Sequence, residues 1–220
     1  MTSWPSAGAS AVKTELYKQL KIRPGVTAII GSGGKTSLML RLCRELPGTV
    51  IVCTSTRIFP PEDLPLYAQP LTALPVQKLC AGTPAEQGKL ASPIQSFEEL
   101  AKLADYVLVE ADGSKHLPLK AHESHEPVIP ACADQVIQVV GISGVGQPIC
   151  KAVHRPAVFA RLCDGQVSEI ATPERVAAVL NREALADRYV LNQADGPEDR
   201  KWAVSLAALL ERPCIITSLI

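Results

Sequence analysis

The chain has 220 residues, of which 47% are hydrophobic and 20% are charged, values that are typical of a globular protein with one substantial core. Its 22 basic and 22 acidic side chains cancel to a formal net charge of zero, which argues against a nucleic acid or a membrane as the main partner. The seven cysteines form no C-x-x-C pair, and no stretch resembles a leader or a membrane span. We therefore expect a cytoplasmic protein.

Residues 1–22 are predicted to form a tail and a short helix over residues 11–20, and residues 23–220 a single α/β domain. The apolar pattern predicts strands over residues 26–30, 49–53, 77–80, 106–111, 135–141, 189–191 and 214–217. It predicts helices over residues 37–46, 97–103, 174–180 and 198–211. Residues 59–75 and 113–130 are expected to be long irregular segments. Because strands and helices alternate, we expect a mostly parallel sheet with helices on both faces, as in P-loop NTPases.

A glycine-rich segment, which we call the glycine loop, joins the first predicted strand to its helix. It consists of Gly31, Ser32, Gly33, Gly34, Lys35 and Thr36, and Ser37 follows it. Glycines allow backbone N–H groups to surround phosphate oxygens, and the amino end of a helix favours an anion. We expect the loop and Ser37 to bind GTP or ATP, with Lys35 neutralising phosphates and Thr36 binding Mg²⁺. An incidental glycine-rich turn is the alternative interpretation.

The glycine loop departs from the usual pattern G-x-x-x-x-G-K-[ST], because Ile29 stands where that pattern has its first glycine. This shorter form resembles the ATP-binding loop of Mur-type ligases. Replacing Lys35 by alanine is expected to abolish nucleotide binding and to leave the fold intact, since the change is predicted to remove only a loop charge.

Glu110 and Asp112 end the predicted strand 106–111 and should lie on the same side of it. At the carboxyl end of a parallel strand they would face the glycine loop. We expect one to hold Mg²⁺ and the other to orient an attacking water or a substrate proton, with a plain Asp-Gly turn as the alternative. Arg57, which follows the second strand, is a candidate for offsetting charge that develops during catalysis, and local capping is the alternative for this segment.

Residues 192–195 read Asn-Gln-Ala-Asp and resemble the guanine-reading N-K-x-D element of GTPases, with Gln193 in place of the lysine. Asn192 and Asp195 are therefore predicted to read the base, and an Asx-type turn is the alternative. Three histidines, His116, His122 and His125, lie close together in sequence. They indicate either a metal site or ordinary loop histidines, because their spacing matches no compact ligand pattern.

Several short motifs occur in a fixed order that spans about residues 25–220. They are residues 31–36, 54–57, 110–114, 117–120, 125–130, 139–141, 146, 153–156 and 191–195. Together they resemble the YqeC family, accessory proteins of selenium-dependent molybdenum hydroxylases. The resemblance implies a cytoplasmic P-loop protein that acts in the maturation of these enzymes, with a molybdenum hydroxylase or the molybdenum cofactor as its partner. It also makes His154 and Arg155 candidates for a substrate or phosphate contact, and a turn before Pro156 is the alternative.

Three functions are compatible with these patterns. The first is an accessory protein that binds and slowly hydrolyses an NTP with Mg²⁺. The second is a small-molecule kinase or ATP-dependent ligase, in which Lys115, Lys120 and His122 bind an acidic or cofactor-like substrate. The third is a non-catalytic scaffold that responds to a bound nucleotide.

Overall fold

A computed structural model describes residues 15–219. The helices are α1 (Leu16–Gln19), α2 (Lys35–Glu45), α3 (Phe97–Ala101), α4 (Ile149–Ala152), α5 (Pro156–Leu162), α6 (Pro173–Glu183) and α7 (Pro197–Ala207). The strands are β1 (Gly25–Gly31), β2 (Val50–Thr54), β3 (Leu66–Tyr67), β4 (Lys78–Ala81), β5 (Thr83–Pro84), β6 (Leu90–Ala91), β7 (Tyr106–Glu110), β8 (Leu119–Lys120), β9 (Gln135–Gly141), β10 (Val153–His154), β11 (Arg188–Asn192) and β12 (Cys214–Ile216).

Eight of the strands form one sheet in the order β12-β11-β9-β1-β7-β2-β4-β3, and every pair of neighbours is parallel. The register pairs Glu110 with both Ile29 and Thr54, and it pairs Asn192 with Gly141. Because the strands are parallel, their carboxyl ends meet at a single edge of the sheet. The glycine loop, Glu110 and Asn192 all lie at that edge.

Both faces of the sheet are covered, as the near-continuous apolar strands predict. On one face, Leu38 and Leu42 of α2 pack with Ile29 and Leu108. On the other face, Leu100 of α3 packs on β2, β4 and β7, and α5, α6 and α7 pack on β9 and β11. The predicted mostly parallel α/β sheet with helices on both faces is therefore confirmed. No helix within residues 15–219 is both long enough and apolar enough to cross a membrane.

The predicted strands all lie in this sheet, and their ends agree with the structure to within one residue. The predicted helix 198–211 is wrong at its end, because α7 stops at Ala207. Asn181 of α6 accounts for the early stop: its amide binds the carbonyl oxygen of Leu209 and the N–H of Glu211. The predicted tail, residues 1–10, and residues 11–14 of the first predicted helix lie outside the described residues.

The segment 113–130 is not simply irregular, which corrects the sequence expectation. It contains β8, which pairs in parallel with β10 and places Leu119 opposite Val153 and Lys120 opposite His154. Helices α4 and α5 flank β10 and were also not predicted. These elements are only two to seven residues long, too short for hydrophobic periodicity to reveal them.

Candidate functional site

The glycine loop joins β1 to α2 and has a backbone that only glycine adopts readily. Gly31, Gly33 and Gly34 have φ angles of 91°, 88° and 117°, in the region that residues with a side chain avoid. A Cβ on Gly33 would lie 2.4 Å from the Cα of Gly141, and one on Gly34 would lie 2.4 Å from Nδ2 of Asn192. The loop is therefore held closely against the ends of β9 and β11.

The amino end of α2 is suited to an anion. Its first turn carries no acidic side chain, and the N-cap residue Gly34 supplies no side-chain hydrogen bond. The first N–H groups of a helix lack intrahelical partners and carry partial positive charge. Ser32 turns its hydroxyl away to the carbonyl oxygen of Leu117, and Ser37 is half-buried in the first turn of α2. Such an arrangement at the start of a helix favours an anion.

Lys35 is buried, with only 4% of its side chain exposed. Its ammonium lies 3.0 Å from Oδ1 of Asp112 and 3.7 Å from Oε1 of Glu110. It also donates to the carbonyl oxygen of Gly31 at 2.8 Å and to the hydroxyl of Ser114 at 3.3 Å. The structure thus brings Lys35 together with both carboxylates that the sequence singles out, and it corrects the expectation that Lys35 carries only a loop charge.

Glu110 faces the first turn of α2 from the end of β7. The Thr36 hydroxyl donates to its Oε2 at 2.9 Å, and the Thr54 hydroxyl donates to its backbone carbonyl at 2.7 Å. Burial raises the pKa of Glu110, and the opposing effects of Lys35 and Thr36 do not cancel that rise. Two oxygen ligands of the kind that Mg²⁺ prefers, from Thr36 and Glu110, therefore lie in direct contact.

Asp112 has different surroundings from Glu110. Three donors converge on its Oδ2: the N–H of Gly31 at 2.8 Å, Nε2 of His122 at 3.0 Å and the Lys120 ammonium at 3.3 Å. Burial alone would raise the pKa of Asp112, but the His122 hydrogen bond and the Lys35 and Lys120 charges outweigh it and lower the pKa to about 2. Asp112 is therefore an ionised centre that fixes the start of the glycine loop.

Sequence reasoning named His122 as a candidate but did not predict its partners, Asp112 and Glu183. Its Nδ1 lies 2.9 Å from Oε2 of Glu183, and its backbone N–H donates to Oε1 of the same carboxylate at 2.7 Å. Burial lowers its pKa, but the hydrogen bonds and charges of Asp112 and Glu183 outweigh burial and raise the pKa. His122 thus links the end of α6 to the glycine loop through Asp112.

The three clustered histidines do not meet. His116 and His125 are exposed, whereas His122 is buried between two carboxylates. Within residues 15–219, no three histidine, cysteine or carboxylate side chains come together as metal ligands would. The interpretation of these histidines as a metal site is therefore wrong.

Arg57 is not brought into the cluster around Lys35. Its guanidinium is exposed, and its ion-pair partner is Glu86 at 4.0 Å. Among the described residues, no contact joins Arg57 to Glu110 or Asp112. Thr54, in contrast, does lie beside the site, because its hydroxyl donates to the backbone carbonyl of Glu110 at 2.7 Å. The same hydroxyl accepts from the N–H of Thr56 at 2.9 Å.

Asn192 supports the glycine loop directly. Its Nδ2 donates to the carbonyl oxygen of Gly33 at 2.7 Å, and its Oδ1 accepts from the N–H of Leu219 at 2.8 Å. Asp195 is exposed and accepts from the Ser218 hydroxyl. The two residues that were predicted to act together therefore have separate places: Asn192 lies against the glycine loop, and Asp195 lies in the segment after β11.

The protein thus belongs to the α/β class with a parallel sheet. At the carboxyl ends of the strands, the Lys35 ammonium of its glycine loop contacts two carboxylates. The model of the family described as YqeC protein matches residues 27–157, more than half of the chain. The chain therefore belongs to the YqeC family. The matched residues include the glycine loop, Glu110, Asp112 and His122, whereas Glu183, Asn192 and Asp195 lie outside the match.

A relative from Escherichia coli (strain K12), which carries the name "Uncharacterized protein YqeC", is similar to this chain. The two are 32% identical in an alignment of length 154, which covers 63% of this chain and 60% of the relative. The alignment thus covers less than two thirds of the relative's own length.

Proposed function

We propose that this protein binds an NTP together with Mg²⁺ at the glycine loop and hydrolyses it slowly. The observation that carries the proposal is the buried Lys35 ammonium, which lies between the glycine loop and the carboxylates of Glu110 and Asp112. A lysine at the amino end of a helix is suited to bind phosphate oxygens, as are the N–H groups of glycines at which there is no room for a Cβ. The carboxylates hold this ammonium in place when no phosphate is bound.

Thr36 and Glu110 are the residues that would hold Mg²⁺. A hydroxyl and a carboxylate are hard oxygen donors, which fits this ion, and a 2.9 Å contact joins the exposed Thr36 at the start of α2 to the buried Glu110 at the end of β7. Bound Mg²⁺ would neutralise charge on the phosphates. Asp112 would instead orient Lys35 and the N–H of Gly31, because its own oxygens already face four donors.

The test is calorimetry with GTP and ATP in the presence and absence of Mg²⁺. Thr36→Ala is expected to weaken Mg²⁺-dependent binding roughly tenfold, about 1.4 kcal/mol, because it removes one oxygen ligand. Without Mg²⁺ the variant and the unaltered protein should bind nearly equally. Ser205→Ala, an exposed hydroxyl on α7, is the matched control and should change neither affinity. An unaltered protein that binds neither nucleotide would refute the proposal.

For the base, we propose that Asp195 favours GTP. Its carboxylate is exposed, and guanine presents N–H donors at N1 and N2, positions at which adenine has no donor. Asp195→Asn is expected to lower GTP affinity roughly tenfold, since charge-assisted hydrogen bonds contribute about 1.5–3 kcal/mol, and to leave ATP affinity unchanged. Glu198→Gln, also exposed, is the control. Equal affinities of the unaltered protein for GTP and ATP would exclude guanine reading.

A second candidate function is a small-molecule kinase or ATP-dependent ligase. It is favoured by two cationic side chains near Asp112: Lys120 contacts Asp112 directly, and Arg155 is linked to Lys120 through Glu126. Phosphate release from the NTP alone supports the NTPase, whereas turnover that requires an added acidic acceptor supports the kinase or ligase. Tight binding without turnover in either assay would identify a nucleotide-dependent scaffold.

The biological role that we propose follows from family membership rather than from the site. It is a cytoplasmic accessory role in the maturation of selenium-dependent molybdenum hydroxylases, with such an enzyme or its molybdenum cofactor as partner. Nucleotide turnover measured with and without a molybdenum hydroxylase tests this role. A partner-dependent change in rate is the expected result, and an unchanged rate with every form of the enzyme would contradict it.

A further inference from the structure

Strands β8 and β10 bring basic side chains from two distant segments together. Their parallel register places Lys120 directly opposite His154, so the two side chains stand on the same face of this small sheet. Arg155 follows with a φ of 68°, a left-handed conformation that non-glycine residues rarely adopt. Such backbone strain is often found at ligand sites. Arg155 and Lys120 both contact the carboxylate of Glu126.

His154 is a buried side chain without a hydrogen-bond partner. Only 8% of the residue is exposed, and no hydrogen bond joins its imidazole to another residue within 15–219. Burial, followed by the charges of Lys120, Arg155 and Lys115, lowers its pKa. The imidazole is therefore neutral at pH 7 and retains a donor N–H. Its ring nitrogens make no hydrogen bond to the described residues and are not fully enclosed, so they are accessible to a ligand from solvent.

Glu126 contacts both Lys120 and Arg155. Arg155 donates from Nη2 to Oε1 at 3.2 Å and from Nε to Oε2 at 3.3 Å, and the Lys120 ammonium lies 3.5 Å from Oε2. Arginine binds a free carboxylate or phosphate through the same paired hydrogen bonds. Glu126 keeps 16% of its side chain exposed, so it can yield this place to a ligand from solvent.

We propose that Lys120, His154 and Arg155 form a second anion subsite, which binds the carboxylate or phosphate group of a small acidic ligand in place of Glu126. The subsite adjoins the glycine loop, because Lys120 contacts Asp112 and Asp112 contacts Lys35. A ligand held there has its anionic group two side chains away from the Lys35 ammonium. Its assignment as a second substrate rests on the proposed nucleotide function, whereas its existence as an anion site does not.

The direct test follows the imidazole resonances of the full-length protein by NMR during titration with malonate and, separately, with inorganic phosphate. We expect the His154 resonance to shift and saturate in the millimolar range, while His116 and His125, which are exposed, stay unchanged. A stronger response to malonate identifies an organic acid as the ligand class, and a stronger response to phosphate identifies a phosphate ester. A His154 resonance that no anion shifts in a saturable manner overturns the proposal.

Two variants with opposite expected effects separate the subsite from a general charge effect. Arg155→Asn keeps a residue that tolerates the left-handed backbone and should weaken anion binding about tenfold, because a bidentate charged pair is lost. Glu126→Gln removes the internal competitor and should tighten binding about tenfold. Glu62→Gln, an exposed carboxylate, is the matched control. Equal affinities in Glu126→Gln and the unaltered protein overturn the displacement of Glu126.

Nucleotide calorimetry on the same samples keeps the two proposals apart. Arg155→Asn should retain its NTP affinity, and its circular dichroism spectrum reports whether it folds. If the protein binds no NTP but the His154 resonance still saturates, the anion subsite stands and the nucleotide proposal fails. If NTP binds but no anion shifts the His154 resonance, the nucleotide proposal stands and the anion subsite fails.

Discussion

Replacing Lys35 by alanine is expected to lower NTP affinity more than a hundredfold, about 2.7 kcal/mol or more, and also to lower the free energy of unfolding by about 3 kcal/mol. Affinity falls because the ammonium at the glycine loop is lost. Stability falls because the buried carboxylates of Glu110 and Asp112 lose the cation that lies 3.7 Å and 3.0 Å from them. Calorimetry measures the first effect and urea denaturation the second.

A double variant separates these two consequences. Lys35→Ala combined with Glu110→Gln should recover part of the lost stability, since it removes a buried carboxylate that has lost its cation, and should recover no nucleotide affinity. Lys201→Ala, an exposed lysine on α7, is the control and should change neither quantity. Retained nucleotide affinity in Lys35→Ala contradicts the proposed binding mode. Unchanged stability would show instead that the ammonium does not hold the two carboxylates.

The parts of the molecule that the sequence predicts are those whose signals are local. The strand before the glycine loop, the loop itself and the helix after it form one continuous pattern of apolar, glycine and apolar residues. Likewise, Glu110 and Asp112 follow a run of buried residues, and strand alternation alone places them on one side. Since parallel strands share an edge, their proximity to Lys35 follows from the fold class.

The remaining parts depend on contacts between distant segments. His122 and Glu183 are separated by 61 positions, and no local pattern indicates that the end of α6 reaches the segment after β7. A signal did exist, because the charged residues Lys120 and His122 alternate with the apolar residues Leu119 and Ala121. Polar residues among buried ones need partners, but the sequence does not say which partners.

Asn192 illustrates a different limit of sequence reasoning. Its resemblance to a base-reading element predicts a role toward the nucleotide base, whereas its amide binds the carbonyl oxygen of Gly33. The role of this side chain depends on where its own strand, β11, ends, and Asn192 at that end pairs with Gly141 beside the loop. A shift of the register by one residue would turn this side chain to the other face of the sheet.

Replacing Asp112 by asparagine is expected to lower the free energy of unfolding by about 3 kcal/mol near neutral pH. The two side chains have nearly the same shape, so packing is retained. However, the donors from Gly31, His122 and Lys120 converge on a single oxygen of Asp112, and a neutral amide cannot compensate their charge. Asp164→Asn, which breaks an exposed ion pair with Arg182, is the control and should cost less than about 1 kcal/mol.

The pH dependence of the Asp112→Asn effect identifies its origin. The pKa of Asp112 is lowered to about 2 from 3.8, so its ionised form contributes stability that is present above pH 4 and lost as the pH falls through 2. The pKa of His122 is raised, so its contribution is complete below about pH 6.5 and is lost as the pH rises through the folded-state value. The stability difference between the two proteins should therefore be largest between about pH 4 and 6.5 and shrink on either side. Urea denaturation across this range measures it, and a difference that does not vary with pH would mean that packing, rather than the charge of Asp112, holds the glycine loop.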